Sequence, residues 1–138
     1  MSLVIDSSVA LAWCFEDEHT PATLALLDQV TEAGAAAPAL WPLEVLNGLV
    51  MAERRKRLDM ARRQQLAGIL HDLPVTLDHE TASQAWGTTI RLAERYRLTL
   101  YDATYLELAQ RLDLPLATLD QELRIAATSL GVPLLGKD

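Results

Sequence analysis

Short apolar runs alternate with segments of helical periodicity along this chain. Each run is only a few residues long, and one or more helix-forming segments separate it from the next. Such alternation predicts a mainly parallel sheet whose strands are joined by right-handed crossovers, with helices covering its faces. The sequence therefore favours an α/β fold, with strands expected at residues 3–6, 35–38, 74–77, 114–119 and 132–135.

The helices are indicated by capping residues and by apolar side chains at helical spacing. Ser7 and Ser8 are expected to cap the first helix and Asp59 the fourth, while another helix should begin at Asp102. The predicted apolar faces are Leu24, Leu27 and Val30 in the second helix, Leu43, Leu46, Leu49 and Val50 in the third, and Ala82, Ala85, Trp86, Ile90, Leu92 and Ala93 in a long helix over residues 80–97.

The length of 138 residues fits a single domain, residues 1–138, that buries a sizeable core without disulfides. Half of the residues are hydrophobic and 22% are charged, which is typical of a soluble globular chain. Cys14 is the one cysteine, which excludes an internal disulfide and a cysteine zinc cluster. The sequence contains no signal-type segment and no apolar run of about 18 residues, so we expect a cytoplasmic protein that does not contact membranes.

Four acidic residues stand where this fold would bring them together. Asp6 and Asp120 end apolar runs, whereas Glu44 lies in the first turn of a helix and Asp102 at the start of one. In open α/β sheets, ligands bind in the crevice beyond the carboxyl ends of the strands. Four carboxylates gathered there would repel one another, so they need a compensating cation. Oxygen ligands without His or Cys favour Mg²⁺, and Mn²⁺ also fits.

Each of these acids also has a purely structural explanation. Asp6, Asp102 and Asp120 could cap helices, and Glu44 could interact with a helix dipole. Capping, however, does not require acids that are distant in the chain to meet at the same end of a sheet. We therefore interpret the four together as a metal site, whose chemistry suits phosphodiester hydrolysis by an activated water.

The segments that carry these acids resemble the successive sequence blocks of a known family. They read LVIDSSVALAW at residues 3–13, WPLEVLN at 41–47, LTLYDATYLELA at 98–109 and LPLATLDQEL at 114–123. In this order and at this spacing they resemble PIN-domain ribonucleases, and above all the VapC toxins of type II toxin–antitoxin systems. The resemblance spans essentially the whole chain, and it is specific because four separate blocks agree.

The resemblance implies a PIN-like three-layer α/β/α sandwich and a toxin that acts as a metal-dependent endoribonuclease. It implies that Asp6, Glu44, Asp102 and Asp120 are the catalytic and metal-binding residues, with Mg²⁺ or Mn²⁺ as the cofactor and Asp120 as the most variable member. It also implies an RNA substrate, a homodimer, and a small VapB-like antitoxin that inhibits the active site.

Two other functions fit the same residues. A PIN-like nuclease could act on DNA or on structured nucleic acid outside a toxin–antitoxin pair, and digestion of RNA and DNA side by side separates that function from the first. A non-catalytic acidic interaction module could use the carboxylates only as caps or for a structural ion, and it predicts no hydrolysis with any divalent metal. The helix face with Leu24, Leu27 and Val30 could pack on the domain or bind an antitoxin helix.

Polar and aromatic residues around the acids have competing interpretations. Ser7 and Thr118 could orient carboxylates or a bound water. Asn47, three residues after Glu44, could hydrogen-bond a carboxylate or face solvent. Tyr101 could reach the pocket, whereas most of the other large aromatic residues are expected in the core or in an interface.

The charged residues are unevenly distributed. The formal net charge of −7 argues against broad adhesion to nucleic acid. Residues 54–63 nevertheless form a local basic stretch that could contact RNA phosphates or could be a solvated helix face. Its members are Arg54, Arg55, Lys56, Arg57, Arg62 and Arg63.

Overall fold

Within residues 1–137, which the computed structural model describes, five short strands form one parallel sheet. In chain order they are β1 (Val4–Ile5), β2 (Ala35–Ala37), β3 (Val75–Leu77), β4 (Leu116–Ala117) and β5 (Leu134–Leu135). The strands lie in the order β3-β2-β1-β4-β5, and each neighbouring pair is parallel. The predicted α/β fold with a short-stranded, mainly parallel sheet is confirmed, and the strands are shorter than predicted.

Helices connect the strands and form the two outer layers. They are α1 (Ser7–Cys14), α2 (Pro21–Ala33), α3 (Trp41–Arg54), α4 (Met60–His71), α5 (Thr81–Gln84), α6 (Ile90–Tyr96), α7 (Leu100–Leu112) and α8 (Gln121–Leu130). The path from β1 to β3 moves across the sheet in one direction, and the path from β4 to β5 moves in the other. Right-handed crossovers therefore place α1–α4 on one face and α5–α8 on the other, which confirms the α/β/α sandwich.

The central strands are buried on both faces. Leu3, Val4 and Ile5 are completely inaccessible, as are Leu116 and Ala117 in β4. A strand covered on both faces has no solvated side, which explains why these segments are continuous apolar runs and not alternating ones. The order of the strands reverses at β1, so the crevice beyond β1 and β4 is the topological switch point where open sheets bind ligands.

The buried faces of two helices differ from the predicted ones. In α3 the core side is formed by Trp41, Val45, Leu49 and Ala52, whereas Leu43 is 73% exposed and Leu46 43%. In α2 the buried residues are Thr23, Leu26 and Val30, and Leu24 is exposed. Each helix carries more leucines than one face can hold. Leu49 and Val30 are buried as predicted, but spacing alone misplaced Leu43, Leu46 and Leu24, because packing against the sheet decides which leucines are buried.

The long helix predicted over residues 80–97 is present but interrupted. A π-helical segment, Ala85–Thr89, joins α5 to α6 and contains Gly87. Leu92 is buried as predicted, but Trp86 is 89% exposed and Ile90 44%. The extra residue in a π turn rotates the helix face relative to a regular helix, so the predicted apolar stripe does not stay on one side.

The sequence contains no apolar run long enough to predict a membrane-spanning helix. No helix within residues 1–137 is both long enough and apolar enough to cross a bilayer.

Candidate active site

The four predicted acids come from four separate segments and meet at one edge of the sheet. Asp6 directly follows β1, and Glu44 lies in the first turn of α3, the helix that follows β2. Asp102 lies in the first turn of α7, and Asp120 lies three residues beyond β4 at the start of α8. The charges of Asp120, Asp6 and Glu44 all raise the pKa of Asp102, so the carboxylates are within electrostatic reach of one another.

Asp6 is held rigidly at the centre of this group. It is 4% exposed, and its Oδ2 accepts hydrogen bonds from Ser8 Oγ at 2.6 Å and Thr118 Oγ1 at 2.7 Å. Burial raises the pKa of Asp6, the hydrogen bonds from Ser8 and Thr118 oppose that rise, and the charge of Asp120 adds to it. Two hydroxyls therefore fix one carboxylate oxygen, and Ser7, at 3.5 Å from Oδ1, makes only a long contact.

The hydroxyl groups belong to a network that ties β1 to β4. The backbone N–H of Leu119 donates to Ser8 Oγ at 3.0 Å, and that of Asp120 donates to Thr118 Oγ1 at 3.1 Å. The predicted role of Thr118 in orienting a carboxylate is confirmed. Ser7 and Ser8, predicted to be caps, are instead the first two residues of α1, with Asp6 at the N-cap position. Ser8 turns back to Asp6 because the two residues flank the sharp strand-to-helix turn.

Glu44 is oriented by an aromatic hydroxyl from α7. Tyr105 is fully buried, and its hydroxyl donates a short hydrogen bond to Glu44 Oε1. Burial raises the pKa of Glu44, the bond from Tyr105 opposes the rise, and the charge of Asp6 adds to it. Burial and the carboxylate of Glu44 also raise the pKa of Tyr105, so its hydroxyl keeps the proton and serves as a donor.

Asp102 is the acid on which the charges of all three others act. Burial and the charges of Asp120, Asp6 and Glu44 raise its pKa to about 6. The sequence predicted that α7 begins at Asp102, but Thr99 is the N-cap, and its Oγ1 accepts from the Asp102 backbone N–H at 3.1 Å. The carboxylate of Asp102 therefore does not cap α7. It belongs to a residue in the first turn of that helix.

Asp120 has the structural role that the sequence allowed for it. Its Oδ1 accepts from the backbone N–H of Leu123 at 3.0 Å, which makes it the N-cap of α8. The capping bond uses Oδ1. The negative charge of the same side chain raises the pKa values of Asp6 and Asp102. Capping and membership of the acidic group are therefore compatible at this position.

The donor set fits a hard divalent cation that retains bound water. No three His, Cys, Asp or Glu side chains within residues 1–137 are grouped so that together they could hold a metal ion. Neighbouring carboxylates nevertheless raise the pKa values of Asp6, Glu44 and Asp102, so a cation among them would relieve a repulsion that the fold itself creates. Mg²⁺ typically keeps several waters and takes only one or two protein carboxylates. Asp6, Glu44, Asp102 and Asp120 are the residues that would hold Mg²⁺ or Mn²⁺, and this ligand set stays a prediction.

Two orienting residues were missed by the sequence analysis. Ser8 was assigned only to capping, and Tyr105 only to the core or an interface. A signal was present in both cases: Ser8 is two residues from Asp6, and Tyr105 is three residues after Asp102, on the same side of α7. The partner of Tyr105, Glu44, lies 61 residues earlier in the chain, so this contact was not accessible from local spacing.

An open groove runs beside Glu44. Leu40, Leu43, Asn47 and Tyr101 line it together with Glu44. Tyr101 is 64% exposed, and Asn47 is also exposed. The expectation that Tyr101 could reach the pocket is confirmed, and Asn47 makes no side-chain hydrogen bond to a carboxylate within the part of the chain that the structure describes. An aromatic ring and an amide therefore flank an acid on an accessible surface.

The raised pKa of Asp102 predicts how the stability of the metal-free protein depends on pH. A carboxyl whose pKa is higher in the folded state binds more protons there, so stability rises as the pH falls from about 6 toward the unfolded value of 3.8. Because Asp102 is half exposed, solvent screening limits the effect to about 1 kcal/mol. We expect Asp102→Asn to be more stable than wild type at pH 7.5, and the difference to vanish near pH 4, in chemical unfolding monitored by circular dichroism.

The control for this prediction is Asp28→Asn, which removes a carboxylate from an exposed position on α2. It should leave the pH profile unchanged. An Asp102→Asn protein that is less stable than wild type at pH 7.5 in EDTA would show that burial and the neighbouring charges do not disfavour the ionised carboxylate of Asp102.

Comparison with known proteins agrees with this geometry. The sequence matches the family model described as PIN domain over residues 3–128. The chain therefore belongs to the PIN-domain family, whose members are generally metal-dependent nucleases. No curated protein matches the sequence.

Two solved structures are similar in fold. The crystal structure of PAE2754 from Pyrobaculum aerophilum has 24% sequence identity and a TM-score of 0.70, and the match covers 97% of this chain and 90% of that one. The crystal structure of FitAcB from Neisseria gonorrhoeae has 16% identity and a TM-score of 0.66, with 96% and 95% coverage. At these identities the likeness concerns the arrangement of the strands and helices.

Proposed function

We propose that this chain is a metal-dependent endoribonuclease and the toxin of a type II toxin–antitoxin module. The observation that carries the proposal is the meeting of four carboxylates at the switch point of a PIN-domain sheet, where the charges of the other three raise the pKa of Asp102. The blocks shared with VapC toxins supply the toxin assignment and the choice of RNA. Asp6, Glu44, Asp102 and Asp120 are the proposed catalytic and metal-binding residues.

The proposed reaction is hydrolysis of the phosphodiester bond by water. A divalent ion held by the four acids would stabilise charge on the phosphate and activate the water. Ser8 and Thr118 hold Oδ2 of Asp6 in one orientation, and Tyr105 holds Oε1 of Glu44. Side chains fixed in this way need no rearrangement when substrate binds. The water attacks phosphorus, so the ribose 2′-hydroxyl is not the nucleophile and no Ser, Cys or His nucleophile is required.

The groove beside Glu44 is the proposed binding site for the nucleotides next to the scissile bond. Tyr101 is exposed there and can stack on a base that is splayed out of the strand, as aromatic residues do in single-strand binding. In the inhibited state, the tail of a small VapB-like antitoxin would occupy the same groove. The exposed Leu43 and the half-buried Leu40 offer that tail an apolar surface.

We expect Tyr101→Ala to lower kcat/KM for RNA about tenfold, because stacking on one base contributes roughly 1–3 kcal/mol. Tyr101→Phe keeps the ring and should retain most of the activity. Steady-state cleavage of a fluorogenic RNA measures both. Equal activity of Tyr101→Ala and wild type would contradict the stacking role.

A homodimer is part of the same proposal. Trp86, in the segment that joins α5 to α6, and Ile90, the first residue of α6, are exposed and stand about one helical turn apart. Large exposed apolar side chains of this kind are typical of interfaces. Analytical ultracentrifugation of wild type and of Trp86→Glu tests this assignment: we expect a dimer and a monomer, and two dimers would exclude Trp86 from the interface.

Digestion of RNA and DNA of the same sequence, side by side with added Mg²⁺ or Mn²⁺, tests the proposed activity. We expect cleavage of the RNA that EDTA abolishes. Preferential cleavage of DNA would favour the alternative of a PIN-like DNA nuclease. The absence of hydrolysis with either metal, together with the absence of growth arrest on expression, would favour a non-catalytic acidic module.

A further inference from the structure

The basic stretch at residues 54–63 separates into two groups. Arg57 pairs with Asp17 and Glu18, and its guanidinium lies over the ring of Phe15. Arg63 forms an ion pair with Glu53, and Arg62 donates from Nη1 to Gln65 Oε1 at 2.6 Å. Arg57 and Arg63 connect the end of α3 and the following turn to neighbouring segments, and Arg62 bonds within α4. They are explained by the fold.

Arg54, Arg55 and Lys56 form the second group and are not explained in this way. All three are exposed, and they lie at the C-terminal end of α3 and in the turn that follows. Within residues 1–137 none of them makes an ion pair or a side-chain hydrogen bond. In a chain whose net charge is −7, three adjacent cations without carboxylate partners are a local exception.

α3 connects these cations to the acidic site. Arg55 follows Glu44 by eleven residues, which is about three helical turns, so the two lie on the same side of α3 and about 16 Å apart along its axis. Met51 lies between them on the same side, and Asn47 and Arg54 lie next to this line toward solvent. α3 begins at the sheet edge that carries the acids, so the exposed side of this helix extends from the acidic site toward Arg54 and Arg55.

The surface along this line is accessible. Asn47 lines the groove beside Glu44, and Met51 and Arg55 line a second groove between α1 and α3. Gly48 lies opposite Leu11 in this second groove, where an added Cβ would come within 2.5 Å of Leu11 Cδ1. The two helices therefore pack closely at Gly48, with the side chain of Leu11 against the glycine.

We propose that this side of α3, from Glu44 through Asn47 and Met51 to Arg54 and Arg55, is a track for single-stranded RNA. We call it the α3 track. The inference rests on the proposed nuclease function and extends it. The scissile phosphate lies at the acids, and Arg54 and Arg55 contact phosphates several nucleotides away. Lys56 extends the same positive surface into the turn.

The acidic turn Glu16–Glu18 limits the path of the strand. Glu18 borders the groove between α1 and α3, and Asp17 lies next to it in sequence. Arg57 pairs with both carboxylates and so reduces the repulsion that a phosphate would meet there. Within residues 1–137 no carboxylate forms an ion pair with the exposed Arg54, which favours its side of α3 as the route of the strand.

A helix-dipole role is the competing explanation for these cations. Basic residues near a helix C-terminus interact favourably with the dipole and typically stabilise the helix by 0.3–1 kcal/mol. That role predicts a change in thermal stability without any effect on RNA affinity. The track predicts a change in affinity and in its dependence on salt, so the two can be measured separately.

The test compares Arg54→Gln/Arg55→Gln with Arg91→Gln/Arg95→Gln, a control that removes the same charge from exposed positions on α6. Both are placed in the Asp6→Asn background to prevent cleavage, with a fluorescein-labelled single-stranded RNA of about 12 nucleotides as the probe. Fluorescence anisotropy is recorded over a range of salt concentrations. Loss of two phosphate contacts should reduce the slope of log K against log salt by about 1.4, and should weaken binding roughly tenfold at low salt.

Three results would overturn the α3 track. The first is an equal slope and affinity for Arg54→Gln/Arg55→Gln and its parent, and the second is an equal loss in the Arg91→Gln/Arg95→Gln control, which would indicate a general charge effect. The third is tighter binding of a polyglutamate peptide than of the RNA to the same cations.

A cleavage assay without the Asp6→Asn change separates this inference from the proposed function. The track predicts that Arg54→Gln/Arg55→Gln raises KM more than it lowers kcat, and that the defect shrinks as the RNA is shortened. Cleavage with no difference in salt slope would leave the nuclease in place and remove the track. A difference in salt slope without cleavage under any metal would leave an RNA-binding track on a protein that is not a nuclease.

Discussion

Replacing Asp6 with asparagine should lower the rate of RNA cleavage at least about a hundredfold. Even substitutions of residues that only orient metal ligands cost roughly 10–100-fold, and Asp6 is proposed to be a ligand itself. The change removes the charge but keeps the shape of the side chain, and the amide oxygen can still accept from Ser8 and Thr118. Single-turnover cleavage of RNA in saturating Mg²⁺ measures the effect.

The fold of the Asp6→Asn protein should be intact. Burial raises the pKa of Asp6, so the ionised carboxylate is unfavourable in the metal-free protein, and its removal does not weaken the core. Circular dichroism and a thermal midpoint no lower than that of wild type provide the check. Asp28→Asn serves as the activity control and should cleave as wild type does. A folded Asp6→Asn protein that cleaves at the wild-type rate would contradict the assignment of the acidic site.

Replacing Arg111 with methionine should destabilise the fold by about 3 kcal/mol. Arg111 on α7 bonds Asp78 through Nη2 at 2.6 Å and Glu107 through Nε at 2.7 Å, and Glu107 is 4% exposed. Removing one partner of a buried ion pair typically costs 3–5 kcal/mol, because the other charge is left without compensation. Urea unfolding followed by circular dichroism measures the loss.

A second substitution identifies the cause of that loss. Glu107→Gln removes the buried charge, so Arg111→Met should cost at least about 1 kcal/mol less in the Glu107→Gln background than in wild type. Arg91→Met is the matched surface control and should change stability by no more than about 0.5 kcal/mol. If Arg111→Met cost the same in both backgrounds, the loss would come from packing and not from the ion pair.

The sequence predicted the acidic site best where an acidic residue directly follows a predicted strand. Asp6 and Asp120 follow short runs that can only be buried strands, and parallel strands end at the same edge, so the meeting of the acids followed from the alternation of elements. Glu44 and Asp102 were added because Glu44 lies in the first turn of a predicted helix and Asp102 at the start of another. The structure confirms the fold and places the four acids within electrostatic reach of one another.

Contacts between segments that are distant in the chain could not be predicted from local sequence patterns. The bond between Tyr105 and Glu44 joins residues 61 apart, and Arg111 reaches Asp78 across 33 residues. The choice of buried face also failed in α3, because Leu43 has the same hydrophobicity as Leu49 and only packing against the sheet distinguishes them. The exposed Leu43 was therefore assigned to the core, although it lines the groove beside Glu44.

The most direct test of the account is the chemistry of the RNA ends produced in water enriched in ¹⁸O. Purified protein, Mg²⁺ and a defined single-stranded RNA are incubated with and without EDTA, and the products are analysed by mass spectrometry. Hydrolysis by water predicts a terminal phosphate that contains ¹⁸O, no 2′,3′-cyclic phosphate, and no product in EDTA. Cleavage that persists in EDTA, or that yields a 2′,3′-cyclic phosphate, would contradict a metal-dependent hydrolysis carried out by the four acids.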